Sequence, residues 1–275
     1  MGNVTYDFTG EVVLVTGAAR GMGREIAVSF ARAGAQVAVN DVDAQVEHVP
    51  YATGTVEELA QTVADIEAQG AEALEVRGDL RREADVERMV AATIERFGRL
   101  DVLVNNAGVY SCGPVTELTE ERWDVVVDTV LKAPFLCSKH AARHMIERGG
   151  GGRIVTISST SALVGIPDQV NYQSAKHGVV GQIRTLALEL APHGVTVNTI
   201  CPTAVADTAM LDHVIDLGPE YFGKVNALCG ASTVFPGLDC IETRDVSHAV
   251  RWLASDAARY VTGVVLPVDG GFSCK

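Results

Sequence analysis

A chain of 275 residues, 47% apolar and 21% charged with 27 glycines, fits one globular α/β domain and excludes disordered and fibrous classes. Its 35 acidic against 22 basic side chains leave a formal net charge of -13, so neither nucleic acid nor an anionic membrane surface is an expected partner. No apolar run reaches the roughly 18 residues of a membrane span, and no leader pattern opens the chain, so a cytoplasmic protein is expected. Gly2 does not head a myristoylation signal, because Tyr6 stands where that signal needs Ser or Thr. The six cysteines form no CxxC pair and the seven histidines no ligand set, so free thiols and no metal are expected.

In chain order, short runs rich in Val and Ile predict strands over 12–16, 36–40, 73–77, 101–105, 153–158, 196–201 and 264–268. Longer patterns between them predict helices over 21–33, 56–69, 83–97, 120–148, 171–192 and 244–255. Strands alternating with helices predict a single-domain, Rossmann-type doubly wound parallel sheet of seven strands, spanning 1–275. The run Gly149-Gly150-Gly151-Gly152 precedes a strand rather than a helix and reads as a flexible turn. Two connections are longer than the fold needs: an insertion at 43–55, read as a cofactor cover, and 205–242, read as a substrate lid. Within the second, Met210, Leu211, Val214, Ile215, Leu217, Tyr221 and Phe222 suit an apolar pocket and ordinary packing equally well.

The first strand runs into Gly17-Ala18-Ala19-Arg20-Gly21-Met22-Gly23 and then a helix. Gly17 permits the turn, Gly21 lets backbone N–H groups approach a pyrophosphate, and Gly23 allows close helix packing. About 20 residues on, Asp41 ends the second strand, where a carboxylate accepts from both ribose hydroxyls and repels a 2′-phosphate. This favours NAD over NADP, although Arg20 is a group that could receive that phosphate. Tyr172 and Lys176 stand at i, i+4 on one helix face, so the ammonium can lower the phenol pKa for acid–base work. Ser159, at the end of the preceding strand, can hold the substrate oxygen.

Taken together, Thr16 to Gly23, Asp79, Asn105-Asn106-Ala107-Gly108, Ser159 and Tyr172-Gln173-Ser174-Ala175-Lys176 resemble the short-chain dehydrogenase/reductase family from about residue 9 onward. The resemblance implies a catalytic Ser159, Tyr172 and Lys176, with Lys176 also on the nicotinamide ribose. It implies adenine at Asp79 and Leu80, support from Asn105, Asn106, Ala107 and Gly108, and a homotetramer. Pro202, Thr203 and Thr208 fall on the nicotinamide side. The pattern departs from the family at Val130, where an Asn is usual, so Val130 is not assigned a catalytic role. It departs again where Pro202-Thr203 replaces Pro-Gly and the Thr arrives one residue late, leaving Asp207 or Thr208 to face inward.

The insertion, Cys201-Pro202-Thr203 and the stretch Trp252 to Gly263 are further similar to the carveol-dehydrogenase-like, mycofactocin-dependent subgroup. That likeness implies a tightly held NAD under the insertion and electrons passed to a mycofactocin-type acceptor. The expected reaction interconverts a secondary alcohol and a ketone on an apolar, terpenoid-like substrate by hydride transfer. Two alternatives stand beside it. One is a ketoacyl or steroid-type ketone reductase with exchangeable cofactor, and the other a non-catalytic module that senses NAD.

Overall fold

Seven strands pair in parallel in the order β3-β2-β1-β4-β5-β6-β7, within a computed structural model that describes residues 4–274. The reading of Gly2 lies outside the described residues. The strands are β1 (Val12–Thr16), β2 (Gln36–Asp41), β3 (Ala73–Arg77), β4 (Val102–Asn105), β5 (Gly152–Ile157), β6 (Val195–Pro202) and β7 (Val265–Val268). This is the doubly wound sheet expected from the alternating pattern.

Alternation within a strand decides which helix layer each side chain meets. Val13 and Val15 of β1 pack with α1 (Gly21–Arg32), α2 (Val56–Glu67) and a C-terminal helix through Ile26, Phe30, Leu59, Val246 and Val250. Leu14 turns to the other face, with α3 (Glu83–Phe97) and two later helices, through Met89, Ala141 and Ile183. Helices cover both faces, and each fully buried Val, Leu, Ile or Phe contributes about 1.5–3 kcal/mol. The chain leaves β1 for β2 on one side and reaches β4 on the other, so the crevice past the carboxyl ends of β1 and β4 is where such sheets bind ligands.

The helix expected over 120–148 is divided. It runs as α4 (Glu120–Val127), a widened π turn (Asp128–Lys132) and α5 (Ala133–Arg148). Pro134 explains part of the break, since it has no N–H to offer the Val130 carbonyl four residues earlier. After α6 (Val170–Leu190), the connection 205–242 holds two helices, α7 (Ala209–Asp216) and α8 (Gly218–Cys229), before α9 (Thr243–Ala254), the C-terminal helix of the first layer. The apolar spacing inside that connection is therefore helical. No helix among the described residues is long and apolar enough to cross a membrane.

Candidate active site

One cavity of about 360 Å³ opens along the carboxyl ends of the strands. Most residues singled out above line it, namely Gly17, Arg20, Gly21, Met22, Gly23, Asp41, Asp79, Leu80, Asn106, Ala107, Gly108, Ser159, Tyr172, Lys176, Pro202, Thr203 and Thr208, whereas Asn105, Asp207, Ile215 and Leu217 do not.

At one end, α1 begins at Arg20, which makes no side-chain cap, and carries no acidic residue in its first turn. Its leading N–H groups and the positive end of its dipole are thus available to an anion. Asn106 turns its amide nitrogen toward the glycine turn. It donates to the Thr16 and Gly17 carbonyls, 3.0 and 2.9 Å away, and so buttresses the glycine turn. Asn105 likewise serves the sheet, donating to Ser138 and Thr156.

Asp41 accepts from the Ala19 N–H at 2.9 Å and from its neighbour Val42 at 2.8 Å. Burial raises its pKa, against those two donors. The insertion sits directly on it: a Cβ added to Gly54 would lie 3.1 Å from the carboxylate and 2.8 Å from the Ala19 methyl. Arg20, the competing signal for a 2′-phosphate, donates to the Ala52 carbonyl and lies 3.7 Å from Glu58. Its charge is therefore engaged by the insertion and α2. Asp79 is gripped by Arg81 through contacts of 2.7–3.1 Å, and that guanidinium lowers its pKa against the effect of burial.

Three buried polar atoms on residues of the cavity wall, Asn40 Oδ1, Asn106 Oδ1 and Thr129 Oγ1, have no hydrogen-bond partner. Unpaired buried polar groups are costly. A dinucleotide fits this set of features, with hydroxyls and an adenine amine to meet the orphan atoms and a pyrophosphate to meet the open helix end.

At the other end, Ser159 is extended (φ -167°) and its hydroxyl accepts from the Ser161 N–H at 3.1 Å. Asn171, fully buried, holds the neighbouring turn by donating to Ser111 at 2.8 Å and accepting from the Tyr172 N–H at 2.8 Å. Burial pushes the Tyr172 phenol up, and a hydrogen bond with Ser159 opposes that shift. The Lys176 ammonium donates to the Ile157 carbonyl at 2.8 Å and sits 5.5 Å from the centre of the Tyr172 ring. Burial brings Lys176 from the ordinary 10.5 down to about 8.

That depression makes a stability prediction. A lysine titrating lower in the folded than in the unfolded chain burdens the fold fully below pH 8, and the burden fades as pH rises toward the unfolded value. Lys176→Met removes the charge and its one bond to Ile157. We expect the nucleotide-free variant to be more stable than the parent by about 2 kcal/mol at pH 7, the difference shrinking between pH 8 and 10, while activity is lost. Urea denaturation across that range checks it, and a variant less stable at pH 7 overturns it.

Thr208 faces the cavity against Gly21 and is the N-cap of α7. It donates to the Val205 carbonyl at 2.9 Å and accepts from the Leu211 N–H at 3.3 Å. Asp207, at φ +56°, lines a separate surface depression. Thr203 donates to the Ser232 carbonyl at 3.0 Å.

The sequence profile of a family described as enoyl-(acyl carrier protein) reductase matches residues 17–273. The chain is 36% identical to a (-)-trans-carveol dehydrogenase of Rhodococcus erythropolis over 97% of its own length and 98% of that enzyme's. It is 39% identical to a (2S)-[(R)-hydroxy(phenyl)methyl]succinyl-CoA dehydrogenase subunit of Thauera aromatica, covering 95% and 96%. Among solved structures it is similar to the carveol dehydrogenase of Mycobacterium avium in complex with NAD, at 34% identity and a TM-score of 0.91, covering 98% and 100%. The chain belongs to the short-chain dehydrogenase/reductase family.

As a member of that family it is an oxidoreductase. Val130 is buried inside the π turn, and Gln182 of α6 donates to the Leu131 carbonyl at 2.9 Å. The widened turn is held by Gln182 and Pro134, without an Asn side chain.

Tyr51, Tyr110 and Gln169 are among the cavity residues that the sequence did not single out, and Tyr221 stood there only among apolar lining candidates. Tyr51, in the insertion, accepts from the Tyr110 N–H at 3.0 Å and lies 5.3 Å, ring to ring, from His213 of α7. Burial holds its phenol at about 12. Tyr110, two residues beyond Asn105-Asn106-Ala107-Gly108, meets the Tyr172 ring edge-on at 5.1 Å. Only that sequence distance from a motif could have flagged it.

Proposed function

We propose that the protein is an NAD-dependent oxidoreductase interconverting secondary alcohols and ketones on an apolar, terpenoid-like ring, with the cofactor held permanently beneath the insertion. The observation that carries the reading is the meeting of insertion and lid over the cavity: Tyr51 against His213, with Met210 of α7 at 3.8 Å from the Tyr172 hydroxyl. The NAD-bound Mycobacterium avium carveol dehydrogenase and the Rhodococcus erythropolis enzyme support both cofactor and substrate class.

In this reading Tyr172 takes the hydroxyl proton of the alcohol and Ser159 holds that oxygen. Lys176 binds the nicotinamide ribose and keeps positive charge beside the phenol. Bound NAD supplies the hydride acceptor. The turn at Gly17, Arg20, Gly21, Met22 and Gly23 and the start of α1 receive the pyrophosphate, and Thr208 stands on the nicotinamide side. Asp41 takes the adenosine ribose, and Asp79 with Leu80 flanks the adenine. Asn106, Ala107 and Gly108 border the cofactor, and Pro202 and Thr203 border the nicotinamide. The segment 205–242 acts as the substrate lid and 43–55 as the cofactor cover. A buried cofactor passes its electrons to a mycofactocin-type acceptor. The setting is cytoplasmic and the assembly a homotetramer, supported by exposed apolar side chains on α5 and α6 such as Phe135 and Leu188.

Purifying the protein without added nucleotide, denaturing it and quantifying what is released by mass spectrometry tests the reading. We expect near one NAD or NADH per chain, and oxidation of carveol-like alcohols with a dye acceptor but little with free NAD. A protein that releases no nucleotide and turns over freely with added NAD points instead to a ketone reductase with exchangeable cofactor. The similarity to a CoA-ester dehydrogenase subunit favours that second reading for the substrate.

A further inference from the structure

The substrate half of the cavity is mostly apolar, with Val109, Ile166, Met210, Val214, Phe222 and Val225 on its wall. One polar array interrupts it. The Ser161 hydroxyl donates to Gln169 Oε1 at 3.3 Å, Gln169 Nε2 donates to the Tyr221 hydroxyl oxygen at 3.1 Å, and the Tyr221 and Tyr110 hydroxyls are 3.1 Å apart. Ser161, Gln169 and Tyr110 are buried, and Tyr221 reaches them from α8.

Proton counting shows what the array has left to give. With its oxygen toward Ser161, the Gln169 amide offers Tyr221 a donor and leaves Tyr221 to accept. The two phenols then hold two hydrogens, and their mutual bond uses one. Among the described residues, the other meets the Cys112 thiol, a weak acceptor, beside Tyr110. Burial pushes both phenols up, so each stays a neutral donor at working pH. A buried donor in an apolar wall, short of a good acceptor, is costly unless a ligand meets it.

We propose that the Tyr110 and Tyr221 hydroxyls, oriented by Gln169, bind a second oxygen on the substrate, so that the preferred substrates are rings carrying a hydrogen-bond acceptor in addition to the reacting carbinol. This rests on the alcohol-oxidation reading above and deepens it. Registration with the chemistry is built in, because Gln169 lies three residues before Tyr172, Ser161 two after Ser159, and the Tyr110 ring abuts the Tyr172 ring. Gln169 is a positioning residue here and the two tyrosines set specificity.

The test compares initial rates of the purified holoenzyme, with a dye acceptor, on cyclohexanol and on 1,2-, 1,3- and 1,4-cyclohexanediol. We expect at least one diol to exceed cyclohexanol about tenfold in kcat/KM, mainly through KM, and Tyr221→Phe to remove about tenfold of that preference. The preference is a ratio within one preparation, so a partly misfolded variant does not disturb it. Tyr110→Phe is expected to act in the same direction. A wild-type enzyme with no diol preference, or a Tyr221→Phe variant that loses both activities by one factor, overturns the second-oxygen site while leaving alcohol oxidation standing. Turnover of neither alcohol class overturns the underlying reading and this proposal with it.

Discussion

Tyr172→Phe is expected to retain bound nucleotide and lose turnover by about a thousandfold or more, the scale of a missing general acid–base group. The substitution deletes one oxygen. The ring keeps its edge contact with Tyr110 at 5.1 Å and its place in the cluster with Val126 and Ala175, so the shape of the cavity is preserved. What disappears is the hydroxyl proposed to exchange a proton with the substrate, hydrogen-bonded to Ser159 and with Lys176 beside its ring. Stability is expected to be unchanged or slightly higher, since a buried polar hydroxyl is removed. Nucleotide content by mass spectrometry and single-turnover rates separate the two effects. Residual turnover within about tenfold of the parent overturns the role assigned to Tyr172.

Gly23→Ala is the substitution with the largest expected cost to the fold. By helix propensity alone it is favourable by about 1 kcal/mol. A Cβ at this point, however, lies 2.0 Å from the Gly17 carbonyl oxygen and 2.6 Å from Asn106 Nδ2. Those two atoms are bonded to each other at 2.9 Å, so the methyl group opens the bond that buttresses the turn and drives α1 away from β1. Overpacking against backbone and a lost buried hydrogen bond together outweigh the propensity gain, with an expected net loss of about 3 kcal/mol. In a chain of this size that lowers Tm by roughly 6–12 °C. Loss of bound nucleotide accompanies it. A Tm within a degree or two of the parent overturns the close-packing account of Gly23.

The sheet was legible because most strands are local Val-rich or Ile-rich runs with punctuation at their ends, and the central ones, such as β1 and β4, are buried on both faces. Residues 12–16 and 73–77 open and close where the composition changes. The helix over 120–148 read as continuous because apolar periodicity does not register a single extra residue in a turn. The π turn at Asp128–Lys132 depends on Gln182, which arrives from α6, 51 residues away. The segment 205–242 read as a connection because glycines and prolines interrupt it, and its two helices gain their apolar faces only by lying over the cavity.

The sequence by itself determined the βαβ order, the glycine turn, Asp41 and the spacing of Ser159, Tyr172 and Lys176, because each of these is a demand that one local backbone segment makes of its own residues. Tertiary structure alone decided what Arg20 does, since only the folded insertion brings the Ala52 carbonyl to it. It alone decided that Thr208 rather than Asp207 faces the cavity, through a positive φ at Asp207 that no spacing rule predicts. It alone joined Tyr51, Tyr110, Gln169 and Tyr221 on one wall. Those four come from segments up to 170 residues apart in number, and a hydrogen bond between distant segments leaves no periodic trace in the chain that makes it.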